Sequence, residues 1–216
     1  MISNKTIASI RQDYTLKQFD ESHLVSDPME QFKVWFKEAV DAEVMEPNAM
    51  TLATTKYDGK PTARVVLLKA LEPKGFVFFT NYDSNKGKQI HRNPYGALVF
   101  FWPELQRQVR IEGIIVKNTE ADSDEYFYSR PIESQIGAHA SPQSSPIESR
   151  TELEENYKRL QEIFKTEPLI RPRHWGGFVL EPTLYEFWQG RSSRLHDRFQ
   201  FSQNEEGKWL SVRLAP

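Results

Sequence analysis

The sequence contains no cysteine, so disulfides, thiolate metal centres and cysteine nucleophiles are excluded, and a cytosolic setting fits. No run of apolar residues reaches membrane-spanning length, and the start, Met1-Ile2-Ser3-Asn4-Lys5-Thr6, lacks the apolar core of a signal peptide. Cationic excess is missing too. The 28 Lys and Arg stand against 30 Asp and Glu, a net charge of -2 at pH 7, which argues against general nucleic-acid binding while leaving room for a local basic site. The five histidines, at 23, 91, 139, 174 and 196, form no His-x-x-x-His or His-Glu-x-x-His pair, which argues against a metal centre. Neither a Gly-x-Gly-x-x-Gly nor a Walker loop occurs. These absences lead us to expect a soluble cytoplasmic protein without nucleic acid, membrane or metal among its partners.

What is present suffices for one substantial core: 216 residues, 38% hydrophobic and 12% aromatic. The expected organisation is a mobile arm over 1–26 and a single domain over 27–216. Asp27-Pro28-Met29-Glu30 combines an N-cap, a first-turn proline and a capping-box glutamate, and predicts a helix with Phe32, Trp35, Phe36, Ala39 and Val40 on one stripe, ended by Pro47. From Met50 the period falls to two, and strands are expected at Met50–Tyr57, Pro61–Lys69, Phe76–Thr80, Gly96–Trp102 and Gln108–Val116. A short helix is expected at Ser84–Arg92. Five strands with no long intervening helix favour an antiparallel barrel or sandwich over a parallel α/β sheet. Further along, helices are expected at Asp122–Ser129 and Glu148–Lys165, a polar loop at 134–146, and strands at Phe178–Leu180, Leu184–Gln189, Arg198–Ser202 and Trp209–Leu214. Gly176-Gly177 reads as a close strand approach or a bulge.

The densest chemistry lies in Glu186-Phe187-Trp188-Gln189-Gly190-Arg191-Ser192-Ser193-Arg194-Leu195-His196-Asp197-Arg198. If the chain is extended from Arg194, then Arg194, His196 and Arg198 share one face, which suits a planar, multiply anionic ligand, with Trp188 as a stacking wall. Solvated strand arginines paired with Asp197 or Glu186 are the bland alternative. Arg64-Val65-Val66-Leu67-Leu68-Lys69 is an apolar strand with a cation at each end, placed either to reach a phosphate or to snorkel into solvent. The odd separation puts Arg64 and Lys69 on opposite faces unless a bulge intervenes. Lys86 falls in the first turn of a helix, where free N–H groups favour anions. Tyr126, Arg130 and Ser134 are natural phosphate donors, Gln108 offers both a donor and an acceptor, and Arg11 and Tyr14 share a helical face at i, i+3.

The string Glu-Phe-Trp-Gln-Gly-x-x-x-Arg-Leu-His-Asp-Arg, followed by Arg213-Leu214-Ala215-Pro216, resembles the C-terminal signature of the pyridoxine/pyridoxamine 5'-phosphate oxidases, FMN enzymes of vitamin B6 metabolism. The resemblance runs from Arg11-Gln12-Asp13-Tyr14 to Pro216. It implies a mainly β, α+β fold: an FMN-binding split β-barrel, antiparallel and Greek-key, with flanking helices. It further implies a homodimer with FMN at the two-fold interface, and oxidation of pyridoxine or pyridoxamine 5'-phosphate to pyridoxal 5'-phosphate with oxygen reduced to hydrogen peroxide. For the cofactor it implies Arg64, Val65, Val66, Leu67, Leu68 and Lys69, with Phe79, Thr80, Lys86, Gln108, Gln143, Ser144, Trp188 and Arg198. For the substrate it implies Lys69, Tyr126, Arg130 and Ser134 at the phosphate, Arg194, Leu195 and His196 at the ring, and Arg11 with Tyr14 as a lid; Arg194 and His196 are the catalytic candidates. One departure stands out, since Asn85 occupies a position where the family usually has arginine, with Lys88 as a substitute cation. Two other readings remain open on the sequence: a different split-barrel flavin or deazaflavin oxidoreductase, and a carrier of pyridoxal 5'-phosphate that needs no flavin.

Overall fold

The computed structural model describes residues 4–10 and 13–216, so Arg11 lies outside the described residues. The elements in order are α1 (Asn4–Ser9), α2 (Pro28–Asp41), β1 (Ala49–Thr55), β2 (Pro61–Leu67), β3 (Ala70–Glu72), β4 (Gly75–Asn81), α3 (Asn85–Arg92), β5 (Tyr95–Trp102), β6 (Arg107–Lys117), α4 (Glu120–Ser129), α5 (Ile132–Ala140), α6 (Arg150–Ile163), β7 (Trp175–Gln189), β8 (Asp197–Gln203) and β9 (Trp209–Arg213). They gather into two compact units, one of Met1–Pro47, Val99–Ile111 and Thr183–Pro216, the other of Asn48–Leu98 and Glu112–Pro182.

In the second unit the strands run in the order β2-β1-β5-β6-β7-β4-β3. The β1–β2, β3–β4 and β4–β7 pairs are antiparallel. The expected strand Pro61–Lys69 is two strands: β2 ends at Leu67, the Leu68 amide donates to Asn48 O at 2.8 Å, and the Lys69 amide to Val77 O at 2.9 Å. The backbone thus changes partner between Arg64 and Lys69, which releases the two cations from strict alternation. Gly176 and Gly177 mark a close approach, since a Cβ on Gly176 would overlap the Tyr82 hydroxyl and one on Gly177 would sit 2.9 Å from Asn118 Cβ. The polar loop expected over 134–146 is helical as far as Ala140. Ile132, Ile136 and Ala140 repeat at i, i+4, and the last two are buried.

The first unit is built on aromatic packing. Asp27 caps α2 by accepting from the Met29 and Glu30 amides at 2.8 and 3.0 Å, and α2 buries Phe32, Trp35 and Ala39. Phe19, within the segment expected as a mobile arm, is 2% exposed and meets the rings of Trp35, Phe187 and Phe199 with centroids 4.8, 6.4 and 5.2 Å away. Buried Arg107 lies 4.2 Å over the Trp35 ring, donates to Gln189 at 2.8 Å and pairs with Glu38 at 2.9 Å. This ties the end of β7 to the helix. The two strands expected at 178–180 and 184–189 are one long strand through Pro182, whose partner changes from β4, up to Leu180, to β8, from Leu184. Proline lacks a donor and falls between the two registers. The β7–β8 and β8–β9 pairs are antiparallel.

Candidate active site

In the second unit Arg64 and Lys86 form a cationic pair without an anionic partner among the described residues. Arg64 donates from Nη1 to Leu52 O at 3.1 Å and Thr54 Oγ1 at 2.6 Å, and from Nη2 to Thr62 Oγ1 at 2.7 Å and Gln89 Oε1 at 3.2 Å. Lys86 donates to Gln143 Oε1 at 2.7 Å, Thr80 Oγ1 at 3.1 Å and Ser84 Oγ at 3.3 Å. Every acceptor is neutral. Burial, then the nearby Arg64 charge, pushes Lys86 down from 10.5 to about 8. Two half-buried cations facing only hydroxyls and amides are costly unless an anion joins them, and a phosphate fits this donor set.

Ser84 caps α3 by accepting from the Gly87 amide at 3.3 Å, which fixes the helix turn carrying Lys86. Gln143 reaches the same spot from the loop after α5, and Ser144 beside it has a left-handed φ of 72°. Val65 is exposed, Val66 and Leu67 are half-buried, and Leu68 is buried. Asn85 is exposed and lines a 280 Å³ cleft with Lys56, Tyr57, Lys88, Gln89 and Arg92.

The same unit holds a second anion-seeking group. Arg130 Nη2 donates to Ser134 O at 2.8 Å, while its Nη1 is buried with no hydrogen-bond partner among the described residues. Its guanidinium lies 4.5 Å from the Trp175 ring centroid, and burial lowers its affinity for a proton. Tyr126 stacks on Phe79 at 3.9 Å, and both rings stack with Trp175 at 6.2 and 5.6 Å. Phe79 therefore supports the wall that carries Tyr126. Ser134 approaches Arg130 through its carbonyl, not through the hydroxyl singled out from the sequence. Lys69 is exposed and forms no ion pair among the described residues.

The first unit holds the dense stretch, and its backbone departs from expectation. The chain is not extended from Arg194: Ser192–Arg194 form a 3-10 turn, Ser193 and Arg194 have φ of 55° and 62°, and the strand starts at Asp197. Simple alternation from 194 to 198 therefore fails. Left-handed non-glycine residues in succession are uncommon and strained, and such strain collects at functional sites. Tyr14 lies outside any helix, and the face it was expected to share with Arg11 involves a residue outside the described ones.

Three of the expected residues nevertheless converge. Tyr14, Arg194 and His196 line a 550 Å³ cleft with Ile10, Asp13, Arg191 and Ser193. Trp188 lies 4.6 Å from the His196 ring and 5.9 Å from that of Tyr14, edge-on. Gly190 is required here, because a Cβ would come within 2.8 Å of the Tyr14 ring. The Arg191 amide donates to His196 Nδ1 at 3.1 Å, which leaves the proton of the neutral ring on Nε2. Burial and the Arg194 and Arg198 charges hold His196 below its ordinary value, favouring that neutral donor. Leu195 is exposed. Arg198 shares the Trp188 face, pairing with Glu186 at 2.9 Å and donating to Ala215 O at 2.7 Å. Glu186 also takes Arg110 at 2.8 Å, so one buried carboxylate serves two guanidiniums. Gln108 is half-buried on β6.

Sequence reasoning missed Gln89, which accepts from Thr54, Thr62 and Arg64, and the ion pair of Arg191 with Asp197 at 2.8 Å. Gln89 lies one helical turn past Asn85, but its partners come from strands far away in sequence.

A mostly antiparallel sheet with flanking helices is the architecture of the split-barrel class. PhzG from Burkholderia lata 383, solved in complex with tetrahydrophenazine-1-carboxylic acid, shares this fold with a TM-score of 0.87 at 28% identity, covering 93% of this chain and 99% of that one. Residues 36–164 match the family model described as pyridoxamine 5'-phosphate oxidase, and residues 175–216 match that of the pyridoxine 5'-phosphate oxidase C-terminal dimerisation region. The chain belongs to the pyridoxamine 5'-phosphate oxidase family. Curated relatives named pyridoxine/pyridoxamine 5'-phosphate oxidase are 53% identical over 211 residues in Microcystis aeruginosa (98% of this chain, 99% of the relative) and 51% over 212 residues in Salinibacter ruber (97% and 99%).

Proposed function

We propose that this protein uses FMN to oxidise pyridoxamine and pyridoxine 5'-phosphates to pyridoxal 5'-phosphate. The amine consumes oxygen and water and releases ammonia and hydrogen peroxide; the alcohol consumes oxygen and releases hydrogen peroxide. The observation that carries this reading is a pair of carboxylate-free cationic sites in one unit: Arg64 with Lys86, and Arg130 with its unpartnered Nη1. A phosphorylated cofactor and a phosphorylated substrate need two such sites. Full-length relatives about half identical to this chain support the same reading.

On this reading Arg64, Lys86, Thr80, Gln143 and Ser144 hold the FMN phosphate. Val65, Val66, Leu67, Leu68, Phe79, Gln108, Trp188 and Arg198 belong to the rest of its site. When bound, FMN supplies the two-electron acceptor for the substrate C4' carbon and passes the electrons to oxygen. Arg130, Tyr126, Ser134 and Lys69 anchor the substrate phosphate, remote from the reacting carbon, so their binding energy serves orientation. Arg194 and Leu195 border the ring. His196, neutral with its proton on Nε2, donates a hydrogen bond to the substrate, and Tyr14, with Arg11, covers it from the N-terminal side. Arg198 shares the Trp188 face, where its charge favours electron density on the flavin.

We further read the protein as a cytoplasmic homodimer. The match of residues 175–216 to a dimerisation region supports the second copy, and among the described residues no helix is long and apolar enough to cross a membrane. The test is an aerobic assay with pyridoxamine 5'-phosphate. Pyridoxal 5'-phosphate and hydrogen peroxide should appear in equal amounts, and pyridoxal 5'-phosphate binding without peroxide would instead support a carrier.

A further inference from the structure

Asp197 opens β8 and collects donors from three segments of the chain. Its Oδ2 accepts from the Phe19 amide at 3.1 Å and from Arg191 Nη1 at 2.8 Å, and its Oδ1 from Arg213 Nη1 at 2.9 Å. Arg213 in turn forks onto Glu21, with Nε and Nη2 each 2.9 Å from a carboxylate oxygen. Arg191 carries the arrangement onward, because its amide donates to His196 Nδ1 at 3.1 Å. A continuous path of ion pairs and hydrogen bonds therefore links Glu21 and Phe19, on the segment that bears Tyr14, to the imidazole of His196. Charges alternate along it: Glu21, Arg213, Asp197, Arg191.

We propose that Asp197 is a positioning residue that couples docking of the N-terminal segment around Tyr14 to the orientation of His196. The inference deepens the oxidase reading and rests on it. Asp197 is not among the residues that line the cleft with Tyr14 and His196 and is 9% exposed, so it acts through its neighbours and not on substrate. Only a carboxylate suits the place. Three donors, two of them guanidiniums, converge on two oxygens, whereas an amide offers one acceptor oxygen and turns its N–H group towards a cation. With Asp197 intact, Phe19 is held in its aromatic pocket, Tyr14 is kept against Gly190, and the turn bearing Arg191 is fixed so that His196 presents Nε2–H.

The test compares FMN-loaded full-length parent with Asp197→Asn and with Glu21→Gln, the second a change to an exposed side chain. Bound flavin, KM and kcat for pyridoxamine 5'-phosphate, and the rate of limited tryptic cleavage after Lys17 are measured in each. Asp197→Asn should keep its flavin, raise KM about tenfold with kcat within about threefold of parent, and speed cleavage at least about fivefold. Glu21→Gln should move KM and cleavage the same way by smaller factors. Parent values of both in Asp197→Asn, or a raised KM with unchanged cleavage, overturn the coupling. If Asp197→Asn does not fold, the same two readouts in Glu21→Gln decide. A parent without turnover overturns the oxidase reading instead, and cleavage without substrate then still decides whether Asp197 docks the segment.

Discussion

Glu186 and Arg198 face each other's strands on β7 and β8, with Arg198 Nη2 2.9 Å and Nε 3.0 Å from Glu186 Oε1, while the other Glu186 oxygen holds Arg110 at 2.8 Å. Two guanidiniums thus converge on one buried carboxylate. The pairing that the sequence offered as the bland alternative for Arg198 is real, and on the proposed reading Arg198 also serves the flavin.

Arg198→Ala is therefore expected to weaken FMN binding without unfolding the protein, because Glu186 keeps Arg110. The loss of one charge-assisted contact should be about 1.5–3 kcal/mol, read by flavin-fluorescence titration of apoprotein. An unchanged dissociation constant removes Arg198 from the cofactor site.

Lys86 gives two opposite pH trends. Its proton is lost near pH 8 in the folded protein, so affinity of the apoprotein for FMN or inorganic phosphate should fall as pH rises through about 8. Stability should move the other way. Between about 8 and the ordinary 10.5 the unfolded chain binds the extra proton, so stability rises with pH across that window. Lys86→Met should flatten both trends, as isothermal titration and denaturant melts at several pH values can establish.

Arg130→Ala should lower kcat/KM for pyridoxamine 5'-phosphate by about 1.5–3 kcal/mol while leaving flavin content near normal. Because Nη1 is a buried donor without a partner, its removal should not cost the stability expected of a satisfied arginine. Calorimetry beside steady-state kinetics separates the two effects.

Asn85→Arg should tighten FMN, since position 85 shares its helix face with Lys88 and with Gln89, which touches Arg64. Low-salt titration gives the clearest reading, as screening is weakest there. Equal dissociation constants would show that Lys88 already supplies the charge.

Much of this was legible in residue order because it is local. The cap at Asp27, the core of the α2 stripe at Phe32, Trp35 and Ala39, and most strand periods depend on neighbours within a few positions and appear where expected, though Val40 of that stripe is exposed. The family string carried the fold class. What failed depends on distant partners. The i, i+4 repeat of α5 was hidden by Gly137 and polar residues, and the strand through Pro182 by a proline that sits where the pairing changes. The left-handed Ser193 and Arg194 defeated alternation in the stretch where it was invoked most directly. Gln89, Asp197 and the stacking of Tyr126 on Phe79 are long-range contacts with no periodic signal.

The most direct test of the central claim is an anaerobic titration of the purified protein with pyridoxamine 5'-phosphate, followed by absorbance in the visible range. The account predicts a yellow protein whose flavin band bleaches with about one equivalent of substrate per bound FMN and returns when oxygen is admitted. A protein that binds pyridoxal 5'-phosphate but neither carries nor takes up flavin, or a flavin band that this substrate leaves unchanged, would contradict it.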